Sequence, residues 1–221
     1  MNKALMVSIV ALFAIVMVGC TKKVKVDVVQ QPTGDVVDVV EPTETETGDV
    51  NDNLSGSVAV AIDTGASVVN WAGERIVGNA HSGTVQIETG FALVKDDMIV
   101  GGEAVIAMAT IVGDNEKAVG HLKTADFFDV EAFPTSKIVI TDVTTNDSGA
   151  IIATADLTIK GVTNEIEFPI VLGDNGQWMM DITIDRTLWG IKYDSGKFFS
   201  EIGDKAIRDE ITFDITLGLV K

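Results

Sequence analysis

"QWMMDITIDRT" (177–187) alternates without a break: Trp178, Met180, Ile182 and Ile184 fall on one side, Met179, Asp181, Thr183 and Asp185 on the other. A period of two carried over such a run marks a β-strand with one face in a core and one in water. The next apolar stretch downstream, "DEITFDITLGL" (209–219), repeats the pattern with Ile211, Phe213, Ile215 and Leu217. The stretch upstream, "NEIEFPIVL" (164–172), repeats it with Ile166, Phe168, Ile170 and Leu172.

Further toward the N-terminus the rhythm continues. "AIIATADLTIKG" places Leu157 and Ile159 on one face, "SKIVITDV" places Ile138 and Ile140, and "GGEAVIAMATIV" places Ala104, Ile106 and Met108. "HSGTVQIETG" aligns His81, Gly83, Val85 and Ile87, and "SVVNWAGERIV" aligns Val69, Trp71, Gly73 and Arg75. Gly, Asn and Asp punctuate the junctions, giving about eight strands of about ten residues each. Two stretches break the pattern: 114–131, which fits a short helix, and 188–208, a connection rich in glycine and aromatic residues. Strands without interleaved helices predict an antiparallel sandwich or barrel. Eight strands close into a barrel that fills itself or encloses one small ligand. The inward set is apolar and of modest size, which suits an elongated cavity.

The N-terminus has a different character. Lys3 precedes the apolar run "ALMVSIVALFAIVMVG", which ends at Cys20 and is shorter than the roughly 20 residues of a membrane-spanning helix. A basic start followed by an apolar stretch reads as an export signal over 1–19. "MVGC" resembles the lipobox of bacterial lipoproteins, with Met17 in place of the usual leucine, and so predicts lipidation at Cys20, the only cysteine. Residues 20–57 combine Pro, Gly, Thr and acids with no aromatic residue, and read as a disordered acidic tether. The folded domain is then 58–221, held in the cell envelope and facing the periplasm. Thr21 follows the cysteine where an inner-membrane retention signal would place aspartate, which favours the outer membrane. A net charge of −17 disfavours nucleic acid as a partner.

Three longer stretches carry a family resemblance. "HLKTADFFDVEAFPTSKIVITDV" (121–143), "ADLTIKGVTNEIEFPI" (155–170) and "IDRTLWGIKYDSGKFFSEIGDKAIRDEITFDITL" (184–217), preceded by "VNWAGERIVGNAHSGTV" (69–85), closely resemble the blocks of the YceI-like family, in the family's order. The resemblance spans roughly 64–219. It departs at "IAM", where Ala107 stands in place of an acid, and at "GNAH", where the family usually has Gly-Thr-His before the position of Ser82. It implies an exported, lipocalin-like, extended eight-stranded antiparallel barrel with a short helix between strands 3 and 4. It also implies a long apolar channel for a polyisoprenoid chain, often with a quinone-like head, and no enzymatic activity or cofactor.

On that basis the candidate ligand contacts are Trp71, His81, Val85, Ile106, Phe127, Phe128, Ile138, Ile140, Phe168, Ile182, Ile184, Trp189, Tyr193, Phe198, Phe199 and Phe213. Phe127, Phe128 and Phe133 either close one end of the channel against the bound chain or form a plug with no ligand. Trp189, Tyr193, Phe198 and Phe199 suit a mouth, since Trp and Tyr join an apolar body to a polar handle. The His81 imidazole needs a partner, either a ligand oxygen or a backbone carbonyl. Arg186 and Arg208, in acidic company, read as ion-paired structural residues, and His121 as a residue that caps or packs the short helix. Two histidines are too few for an ordinary zinc site, so no metal is expected. The partners are an isoprenoid lipid or quinone and, through Cys20, a membrane; a homodimer stays open. The alternative is an interaction module that grips a membrane or stress-response partner through 114–131 and 188–208.

"AIDTGASVV" (61–69) looks at first like the catalytic turn of an aspartic protease. That chemistry needs two carboxylates about 3 Å apart sharing a proton. The second candidate, "YDSGK" at Asp194, lacks the preceding apolar run, and no duplication relates the halves. Under the resemblance, Asp63-Thr64-Gly65 is a turn leading into the first barrel strand.

Overall fold

The computed structural model describes residues 54–221. The signal segment, Cys20 and all but the last four tether residues lie outside the described residues. Residues 54–57 are ordered: Ser57 N–H and Oγ–H both bond the Leu54 carbonyl, and Leu54 packs beside Gly101.

Eight antiparallel strands close into a barrel in sequence order: β1 (Val58–Glu74), β2 (Ala80–Lys95), β3 (Met98–Gly113), β4 (Thr135–Thr145), β5 (Ile151–Ile159), β6 (Val162–Leu172), β7 (Trp178–Asp185) and β8 (Glu210–Leu219). β1 pairs with β8 to complete the ring, for example Trp71 opposite Phe213 and Ala72 opposite Thr212. One short helix, α1 (Glu116–Leu122), follows β3, with the Asn115 side chain accepting from Ala118 N–H as its N-cap. Ladder and core both close within 58–219, and no buried side-chain N or O among the described residues lacks a partner. These residues carry their own core, the requirement for folding alone.

β1, β2 and β3 reach 16 to 17 residues, well beyond ten. The alternation breaks inside them because they are bulged. In β1 the Asp63 carboxylate accepts from Gly65 and Ala66 N–H, and the register against β2 and β8 shifts across this segment. Asp63-Thr64-Gly65 bonds local backbone, but as a bulge in mid-strand and not as a turn ahead of it. In β3 the inward face passes from Met108 to Ile111, a step of three, where Thr110 Oγ1 takes the Gln86 N–H. Elsewhere in β3, Gly102 takes φ +147°, and a Cβ there would come within 2.5 Å of the Phe91 carbonyl oxygen.

One seam is short. β6 and β7 pair only at Ile170–Met180, Val171–Met179 and Leu172–Trp178. Pro169 has no N–H with which to extend a ladder. Beyond it a 3-10 turn, Arg186–Trp189, lies against β6, where Asn164 Nδ2 donates to Leu188 O, and reaches β5, where Trp189 Nε1 donates to Leu157 O. Leu172, at the strand end, is exposed and not inward.

Candidate functional site

The barrel is hollow. Its cavity has a volume of about 680 Å³ and is lined from every strand except β6's far half, with α1 and the β7–β8 connection completing it. Along β1 the lining runs from Ile62 to Glu74, with Arg75 just past the strand end. With about 3.3 Å per residue, strands tilted about 40° and the bulge discounted, the channel is roughly 25–30 Å long.

Its two ends differ. The end near the β2–β3 hairpin is lined by apolar side chains such as Ile62, Ile99, Ile140 and Leu217. At the other end lie the β1–β2 hairpin tip, α1 and the connection 186–209, which contribute Arg75, Asn79, His81, Lys117, His121, Tyr193 and Arg208. Several of these are exposed, and this end is the mouth.

Twelve of the sixteen candidate contacts line the cavity: Trp71, His81, Val85, Ile106, Phe127, Phe128, Ile138, Ile140, Phe168, Ile182, Tyr193 and Phe213. Four do not. Ile184 and Trp189 are fully buried beside the short β6–β7 seam, where the indole bonds the Leu157 carbonyl. Phe198 and Phe199 are half exposed on the outer surface of the mouth. Phe133 packs over the Gly161 turn between β5 and β6 and does not reach the channel.

Several polar groups at the mouth are held by partners on neighbouring elements. Trp71 Nε1 donates to Val112 O at 3.1 Å. The ring finds room because Gly113 is bare; a Cβ there would lie 2.9 Å from Trp71 Cζ2, and one on Gly83 would lie 1.9 Å from the Val112 carbonyl oxygen that accepts from the indole. His81 Nδ1 lies 3.1 Å from Asp114 Oδ1, so its partner is a carboxylate and neither a carbonyl nor necessarily a ligand. His121 Nε2 lies 2.9 Å from Asp126 Oδ2, and its ring meets Tyr193 and Phe127 edge-on, with centroids 4.6 and 5.0 Å apart. His121 therefore packs the helix and also faces the cavity. The sequence signal for this was available: Ala118, His121 and Leu122 share one helical face, and all three line the channel.

Beneath this cluster sits Arg186, 1% exposed. Its guanidinium donates to the carbonyls of Ile191, Ile207 and Arg208 at 2.9–3.1 Å and pairs with Asp209 at 3.4 Å. Phe127 covers it at 5.9 Å. Burial pulls its pKa down, against the pull of Asp209, Asp185 and Asp194. Arg208 pairs with Glu74 at 2.7 Å, and Arg75 with Asp194 at 3.7 Å. Burial would raise the Asp185 carboxyl, but hydrogen bonds from Lys197 and Thr187 outweigh it and hold the pKa below its ordinary value. Among the described residues no group of three or more His, Cys, Asp or Glu could hold a metal ion, and no helix is long and apolar enough to cross a membrane.

A YceI-like domain family model matches residues 60–219. A UPF0312 protein of Staphylococcus aureus strain USA300 is 28% identical over 131 residues, covering 55% of this chain and 72% of that protein. Among solved structures, Burkholderia cenocepacia BcnA aligns with a TM-score of 0.53 at 16% identity, over 72% of this chain and 99% of its own. A polyisoprenoid binding domain from Saccharophagus degradans aligns at TM-score 0.49 and 10% identity, over 71% of this chain and 95% of its own.

Proposed function

The chain belongs to the YceI-like domain family, and from that premise we propose that it binds a long isoprenoid lipid, a polyprenol or isoprenoid quinone, for storage or transport. The observation that carries the reading is the cavity: about 680 Å³, long, narrow and lined by apolar side chains. Each methylene buried there contributes roughly 0.8 kcal/mol. A chain of several isoprene units therefore outweighs the cost of association, about 4–15 kcal/mol, without any charged anchor. The difference between the ends orients the cargo, with the chain toward Ile62 and Ile99 and the head group at His81, His121 and Tyr193. The role is binding, not catalysis. At the mouth His81, His121, Arg75 and Arg208 each pair with a carboxylate, and none of these pairs includes a nucleophile.

We also propose that the protein is exported and lipidated at Cys20, with its barrel in the periplasm and the outer membrane as its anchor. The 33 residues between Cys20 and Leu54 span at most roughly 110 Å, several times the channel's length, so either end of the barrel can meet the membrane. Native mass spectrometry of residues 54–221 made in a bacterial periplasm, followed by organic extraction, tests the cargo. A co-purifying species with isoprene mass spacing supports the reading. A bare mass that stays unchanged after incubation with polyprenols and quinones sinks it, and leaves an interaction module built on the two long connections.

A further inference from the structure

The mouth carries an apolar lip on its outside that the channel does not use. Ile76 (49% exposed) and Val77 (58%) form the tip of the β1–β2 hairpin, and Phe198 (48%) and Phe199 (49%) project from the 186–209 connection. The two segments are fastened together: Ile76 N–H bonds Ala206 O, Arg208 N–H bonds Glu74 O, and Arg75 bridges to Ile207. Four large apolar side chains on two adjoining loops, beside the opening of an apolar channel, are costly in water and mark a contact surface.

Charge selects the partner. With the carboxylates that pair with their cations included, segments 74–79 and 185–209 hold six cations against six acids, so this side is near neutral in a chain whose net charge is −17, and among the described residues its Lys192 and Lys205 are in no ion pair. Lys192 stands over the Phe198 ring with Nζ 4.6 Å from its centroid, so an apolar tip and a cation are presented together. This pairing suits the boundary between acyl chains and anionic head groups, where lysine stems lie along apolar surface and the ammonium stays at the polar layer. The opposite lip, 114–134, holds two cations against five acids and is repelled by the same surface. The contact is therefore one-sided.

We propose that the lip formed by Ile76, Val77, Phe198 and Phe199, with Lys192 and Lys205 beside it, docks the barrel mouth-first onto an anionic lipid bilayer, tilted so that 114–134 stays in water. The channel then opens at the acyl layer, and an apolar chain passes between bilayer and barrel without crossing bulk water. The proposal goes beyond the cargo reading and does not depend on it, because docking is read with an empty channel.

The test is flotation of residues 54–221 with phosphatidylcholine vesicles, with and without phosphatidylglycerol. The protein should float, and more strongly with phosphatidylglycerol. Phe198→Ser with Phe199→Ser, and independently Ile76→Ser with Val77→Ser, should each weaken partitioning at least ~tenfold, since half of each exposed apolar side chain is lost from the contact. All four positions are exposed, so thermal melts should match wild type; a pair that melts early is set aside and the other decides. Lys192→Gln with Lys205→Gln should remove only the phosphatidylglycerol-dependent gain. The control is Val171→Ser with Met179→Ser, an exposed apolar pair on the barrel wall. Equal flotation of the lip variants and wild type overturns the proposal, as does an equal loss in the wall control.

Discussion

Val85→Trp asks whether a lipid chain runs the length of the channel. Val85 faces Val69 across the β1–β2 ladder, and both side chains point inward. It lies four residues past His81, about 13 Å along the strand from the mouth. An indole there obstructs the passage to Ile62, Ile99 and Leu217. Each isoprene unit held back from that region forfeits five buried carbons, about 4 kcal/mol, which is close to a thousandfold in affinity. Prenyl ligands short enough to stop before Val85 lose little. The assay is competition against an apolar fluorescent reporter with prenols of increasing length. Wild type should gain affinity with each unit until the channel is full, and the variant should reach its plateau several units earlier. The substitution faces open space, so a melting shift beyond that of ordinary overpacking, about 1–3 kcal/mol, is not expected. A folded Val85→Trp protein whose length dependence matches wild type would show that the chain does not pass this point.

Arg186→Met leaves three carbonyls without their donor and Asp209 with Lys197 as its remaining cation, and breaking a buried pair from one side costs about 3–5 kcal/mol. At this size the far-UV melting midpoint should fall by roughly 6–20 °C; a shift under about 2 °C would refute the clamp. Lys197→Met removes the partner of Asp185, and its effect should depend on pH. The lowered Asp185 pKa stabilises above its ordinary 3.8 and loses this as pH falls through the depressed value; the raised Lys197 pKa stabilises below 10.5 and loses this as pH rises through the elevated value. The gap between wild-type and variant melts should be flat between these limits and narrow toward both extremes, and a gap that widens toward acid pH contradicts the assignment. Asp63→Asn keeps the Oδ1 acceptor for Gly65 and Ala66, so urea unfolding should move by less than about 1 kcal/mol, whereas Asp63→Ala gives up both bonds at about 1 kcal/mol each. Peptide cleavage by the wild type that Asn abolishes would revive the protease reading.

The parity of the strands was legible because it is a one-dimensional signal. Val85, Ile182 and Phe213 alternate with polar residues, and the closed sheet turns that alternation into an inside and an outside. Bulges were not legible. Asp63 reads as a turn residue because its carboxylate does bond local N–H groups, but the flanking ladders hold the chain extended through it. Aromatic residues in the connections were the least legible, since no period assigns them a face. Phe127 and Tyr193 meet over the mouth, Trp189 is drawn into the seam that Pro169 leaves short, and Phe198 and Phe199 are left outside. Placing them requires knowing where the β6–β7 ladder stops, which is a property of two strands and not of one segment.

A hollow barrel needs a reason not to collapse at its open end. The 24 residues of 186–209 form no strand and carry Trp, Tyr and two Phe, enough apolar surface to fold back into the channel. Polar bonds hold them instead. Arg186 gathers the carbonyls of 191, 207 and 208 around one guanidinium, Arg208 and Arg75 tie the segment to β1 and to Asp194, and Lys197 bridges Asp185 and Asp209. Hydrogen bonds and ion pairs depend on direction in a way that apolar contact does not, so they fix the loop's outline and keep it out of the cavity beside it. The cations that read as structural residues thus set the width of the opening, and the price of that outline is the apolar lip of Ile76, Val77, Phe198 and Phe199 left facing out. In this barrel the open channel and the exposed lip follow from the same polar frame, and weakening that frame should narrow the first while burying the second.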